Sequence, residues 1–92
     1  MTKTSNTPEI SIVMAAKNEE MYVRDAVFSI LSQKNLDIEL IFVDDNSQDN
    51  TLNIVSDIES TDHRLKVMKN PSAGKVSAFN YGIAQARGEW LC

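Results

Sequence analysis

Leu40-Ile41-Phe42-Val43 runs straight into Asp44-Asp45, and this junction limits the possible folds more than any other stretch of the chain. A run of apolar residues, mostly β-branched or aromatic, leaves no polar face for solvent. Such a run reads as a strand buried on both faces of a parallel sheet, with Ile38 and Glu39 leading into it. A polar turn from Asn46 to Asn50 follows, then an apolar pattern at helical spacing that begins at Leu52. In open α/β sheets, ligands bind in the crevice outside the carboxyl ends of the strands. Asp44 and Asp45 stand at that place. The plain alternative is a solvated turn in which Asp49 or Asn50 caps the next helix. Capping accounts for Asp49 or Asn50, but not for two adjacent like charges where one would end the strand.

The rest of the chain repeats the same unit. Ile10 to Ala15 gives a first strand, and Lys17-Asn18-Glu19-Glu20 a polar turn in which Asn18 is expected to cap a helix. Val23, Ala26, Val27, Ile30 and Leu31 then share one helical face. Leu52, Val55 and Ile58 mark a second helix ending near Ser60, and Leu65 to Met68 a short third strand. After the loop Asn70-Pro71-Ser72-Ala73-Gly74, the residues Val76, Phe79, Ile83 and Ala84 mark a third helix that Gly88 is expected to stop. Phe79 and Trp90 read as core, and Glu89 to Cys92 as the start of a fourth strand. Alternating strands and helices with right-handed crossovers predict an α/β fold: a Rossmann-like, open, mostly parallel sheet of order 3-2-1-4 with helices on both faces. Residues 1–7 read as a disordered tail and 8–92 as a single unit cut at its fourth strand. A sheet edge or face left uncovered in this way would favour self-association.

Composition removes several functional classes. The 92 residues are 42% apolar and 24% charged, as in an ordinary globular domain. A net charge of −4 argues against a nucleic-acid binder, which needs a basic face. Cys92 is the only cysteine, so no internal disulfide forms and a reducing, cytoplasmic setting is expected. No apolar run approaches the roughly 20 residues of a membrane span.

The motifs exclude more. Ala15 to Glu20 contains no glycine, so the dinucleotide fingerprint is missing. Gly74-Lys75 falls short of a phosphate loop, because Lys69 stands where the upstream glycine belongs and Val76 where Ser or Thr would hold magnesium. Ile41 to Asp45 is similar to the first strand and acidic pair of a receiver domain from two-component signalling. A complete βα unit precedes the pair here, which is the wrong order for a receiver. A receiver-like or standalone α/β interaction module without transferase activity is the rival reading. His63 lies in a polar loop and is assigned no role. Lys75 opens a helix whose amino end is already positive, a poor place for a cation unless an anion is bound there.

Taken together, the chain resembles the amino-terminal, nucleotide-binding part of the family 2 glycosyltransferases, which have the GT-A fold. The resemblance rests on Ile10 to Ala15 with Asn18-Glu19, on Ile41 to Thr51, on Gly74-Lys75 with Asn80 and Gly82, and on Ala86 to Trp90. It implies transfer of a sugar from a nucleotide donor, most often a UDP-sugar, to an acceptor hydroxyl. It also implies that Asp45 accepts the N3–H of uracil, that Ala15 and Lys17 wall the base and ribose with Glu19 beside them, and that Lys75 lies near the base and diphosphate. Asp44 would be structural. The resemblance places a divalent metal (manganese or magnesium), held by an Asp-x-Asp motif, and a general base beyond Cys92. No metal ligand and no catalytic residue is therefore assigned within these 92 residues, and the chain itself is expected to be inactive.

Overall fold

The computed structural model describes residues 8–88, 90 and 91, with Trp90 described by its backbone alone. The expectations for residues 1–7, Glu89, Cys92 and the Trp90 side chain lie outside the described residues. The element order is β1 (Ile10–Ala16), α1 (Val23–Leu31), β2 (Ile38–Asp44), α2 (Thr51–Glu59), β3 (Leu65–Lys69), α3 (Lys75–Gln85) and β4 (Trp90–Leu91). Every residue of β2 is buried, as the unbroken apolar run predicts. β1 pairs parallel with β2 from Ile10–Ile38 to Ala16–Asp44, and β3 pairs parallel with the other side of β2 from Leu40–Leu65 to Asp44–Lys69. The short β4 joins the free side of β1 through Ile10–Trp90 and Ser11–Leu91, so neighbouring strands run β3-β2-β1-β4. This register sets Ala16, Asp44 and Lys69 side by side. The three connections to the helices therefore leave from one edge of the sheet.

Because side chains alternate across a strand, β2 feeds two cores. Leu40 and Phe42 pack with Val23, Val27 and Leu31 of α1 and Val55 and Ile58 of α2. On the opposite face Ile41 and Val43 meet Val13 and Ala78 of α3. Each large apolar side chain buried in this way contributes about 1.5–3 kcal/mol.

Three local expectations are corrected. Asn18 does not cap α1, which begins only at Val23; it turns the chain at φ 56° and directs its side chain to the α2 connection. In α3, Ile83 packs against the sheet-side core as expected, but Val76 and Phe79 do not. Ala78 and Gly82 are its buried residues, whereas Val76 is 76% and Phe79 39% exposed. Close approach decides this, because a Cβ on Gly82 would lie 2.6 Å from Val13 Cγ1 and 3.0 Å from Val43 Cγ2. Small residues let the helix lie against the strands, with Tyr81 and Ile83 packed at the side of the contact and Val76 and Phe79 turned away. Gly88 does not end the helix either, since α3 stops at Gln85.

Polar clamps close the amino ends of the strands. Glu39, buried within the apolar run, accepts hydrogen bonds from Ser11 Oγ at 2.6 Å and the Arg87 amide at 2.7 Å, while Gly88 N–H donates to Ser11 Oγ at 2.7 Å. Burial alone would raise the Glu39 carboxyl. The hydrogen bonds from Ser11 and the Arg87 amide, with the Arg87 charge, outweigh burial and hold it below its ordinary value. The Arg64 guanidinium donates to Leu31 O at 2.6 Å and Gln33 O at 3.1 Å, satisfying carbonyls at the end of α1.

Candidate functional site

At the carboxyl edge the α1 and α2 connections are sewn together. Asn18 N–H donates to Ser47 Oγ at 2.9 Å and Gln48 N–H returns a bond to Asn18 Oδ1 at 2.8 Å. Glu19 N–H donates to the buried Thr51 Oγ1 at 2.8 Å. Asp49 accepts the Thr51 amide at 2.9 Å and so serves the first turn of α2. The Thr51 hydroxyl bond leads the causes that hold the Asp49 carboxyl below its ordinary value; partial burial opposes it, and the Thr51 and Glu20 amides add to it.

The two adjacent aspartates part company. Asp44 is 1% exposed; its Oδ2 accepts Ser47 N–H at 3.0 Å, and its Oδ1 has no partner among the described residues. Asp45, one position on, points to the α3 side. Its Oδ1 accepts Asn70 Nδ2 at 3.0 Å, Gly74 N–H at 3.1 Å and Asn46 Nδ2 at 3.4 Å. Asp45 Oδ2 accepts no hydrogen bond from the described residues. Asn46 makes the sharp turn at φ 60° and ties it down by donating to Ser72 O at 2.8 Å.

These connections enclose a cleft of about 370 Å³ over the edge of the sheet. Ala15, Lys17, Glu19, Asp45 and Lys75, the residues singled out from the sequence, all line it. The volume lies within the range of small-molecule sites, about 300–1,000 Å³. Two residues that sequence reasoning passed over also belong here. Tyr22, 67% exposed, lines the cleft from the turn before α1. Asn70, 4% exposed, stands behind Asp45. An aromatic residue in a polar turn was a usable signal for Tyr22. For Asn70 the only signal was its place directly after a strand and before proline. Among the described residues no three His, Cys, Asp or Glu side chains form a group that could hold a metal ion. No described helix is long and apolar enough to cross a membrane.

The parallel sheet, its helices and the cleft at its carboxyl edge together make a Rossmann-like α/β unit. The chain belongs to glycosyl transferase family 2, whose model matches residues 11–92. This membership decides against the receiver-like rival. An uncharacterized glycosyltransferase of Haemophilus influenzae is 37% identical over 87 residues, which is 94% of this chain and 35% of that protein. Among solved structures, S. aureus TarS 1–349 superposes with a TM-score of 0.80 at 29% identity, covering 90% of this chain and 26% of that one. A structure of the same TarS segment in complex with UDP-GlcNAc matches with a TM-score of 0.76. The mannosyltransferase PcManGT of Pyrobaculum calidifontis, in complex with GDP-Man and Mn2+, shares the fold with a TM-score of 0.79 at 23% identity. The chain thus spans about a quarter to a third of the length of these relatives.

Proposed function

We propose that the cleft holds the nucleotide of a sugar donor, with a UDP-sugar the best fit, and that the protein to which this chain belongs transfers the sugar to an acceptor hydroxyl. The observation that carries this reading is the convergence of Ala15, Lys17, Glu19, Asp45 and Lys75, from three separate strand-to-helix connections, on one space. Asp45 keeps one carboxylate oxygen clear of donors among the described residues, and uracil offers an imide N–H to it. A charge-assisted hydrogen bond of this kind is worth about 1.5–3 kcal/mol, and a base edge carrying only acceptors would be repelled. The backbone at Ala15 and Lys17 walls the base and ribose, Glu19 stands beside them, and Tyr22 adds an aromatic surface. Lys75 at the start of α3 meets the diphosphate, where helix amides and an ammonium both attract an anion. The UDP-GlcNAc complex of TarS supports the choice of donor.

The described residues offer no metal cage, so no step is assigned to a metal here. The divalent ion and the general base expected of the whole protein would have to come from outside these residues. With a lone cysteine and a nucleotide donor, we place the site in the cytoplasm. Titrating UDP into the labelled chain, with and without manganese, tests the assignment. Weak binding, independent of manganese, and no sugar transfer are expected. A metal-dependent affinity in the micromolar range would overturn it, because Asp44, Asp45 or Asp49 would then form a metal site.

A further inference from the structure

We propose that Asn70 is a positioning residue for base recognition, which rests on the reading of Asp45 given above: it holds one oxygen of Asp45 so that the other is presented to the ligand. Asn70 sits at the end of β3, 4% exposed, and its amide is fully engaged. Nδ2 donates to Asp45 Oδ1 at 3.0 Å and Ser77 Oγ at 3.0 Å, with Gly74 O at 3.3 Å, while Oδ1 accepts Ser72 N–H at 3.1 Å. Gly74 N–H donates to the same Asp45 oxygen at 3.1 Å. Two donors from the β3–α3 connection therefore fix the rotation of a carboxylate carried by the residue that follows β2. An ionised carboxylate has no donor of its own, so only a partner that carries N–H or O–H groups can hold it. An aspartate at position 70 would repel it.

The same network governs Lys75. Gly74 stands at φ 105°, a conformation open to glycine, and is anchored to Asp45 immediately before Lys75 begins α3. Asn70 thus ties the carboxylate to the backbone that leads into Lys75. Base reading and anion binding become parts of one assembly.

Uridine and N3-methyluridine, titrated into the full 92-residue chain and followed by NMR, separate the possibilities, because the methyl group removes the N–H that Asp45 accepts. The wild-type chain is expected to prefer uridine by about ten-fold or more. In Asn70→Ala and Asn70→Asp that preference should collapse to the value found in Asp45→Ala. A purely structural role would weaken both ligands alike and leave their ratio unchanged. Should the variants not fold, the wild-type chain answers alone: uridine, but not N3-methyluridine, should shift the Gly74 amide and Asn70 side-chain resonances. A wild-type ratio near one, or no binding of either ligand, overturns the reading of Asp45 and this inference with it. A wild-type preference retained in both Asn70 variants, or Gly74 and Asn70 resonances that stay still while uridine shifts those of the cleft, overturns the inference alone.

Discussion

Asp44 and Asp45 show how one residue step separates two roles. The pleat turns Asp44 toward the α2 turn, where it is sealed in, and Asp45 toward the cleft. Asp45→Ala is expected to weaken uridine nucleotide binding by about 1.5–3 kcal/mol in the whole protein, and Asp44→Ala to act through stability. Calorimetric titration alongside thermal unfolding checks this; equal binding losses from both variants, each still folded, would refute the assignment. A second expectation concerns pH. Asp62 is held at about 2, first by its hydrogen bonds from Arg64, against the opposing effect of burial. Its folded value lies below the ordinary 3.8, so its contribution to stability is fully present above that value and is lost as pH falls through about 2. The stability difference between the wild type and Asp62→Asn should therefore be flat near neutrality and shrink below about pH 4. Urea unfolding across that range measures it.

Among the elements, α3 departs furthest from its apparent pattern. An apolar stripe of Val76, Phe79 and Ile83 suggests a face for the sheet, yet the fully buried contact is made through Ala78 and Gly82, with Tyr81 and Ile83 packed beside them and Val76 and Phe79 left outside. Gly82→Ala would press a methyl group into Val13 and Val43. Overpacking costs about 1–3 kcal/mol, while alanine returns about 1 kcal/mol of helix propensity. A net loss of up to about 2 kcal/mol in the stability measured by denaturant is expected. A stabilised variant would show that the helix can lift from the sheet without cost.

At the scale of the whole molecule, α3 leaves apolar surface bare, with Val76 76% and Phe79 39% exposed. In water such a surface drives association. The chain by itself should show a weight-average mass that rises with concentration in sedimentation equilibrium, and Val76→Lys with Phe79→Lys should abolish the rise. A monomer at every concentration would exclude association through this face.

The architecture was legible because it follows from local chemistry. Apolar runs of strand length alternate with 3.6-residue stripes, and that alternation alone predicts parallel strands, helices on both faces and carboxylates at the ligand edge. Asp45 and Lys75 could be picked out from their positions at the ends of elements. The tertiary structure decided everything that depends on partners distant in sequence. It centred the buried face of α3 on Ala78 and Gly82 and left Val76 and Phe79 outside, because the helix axis must come close to β1 and β2. It turned Asn18 from a cap into a bridge to Gln48, and placed Glu39 beneath Arg87. It also set Asn70 behind Asp45. No periodicity marks such pairs: a hydrogen bond between two loops depends on the register of the strands that carry them, and that register exists only once the sheet has formed.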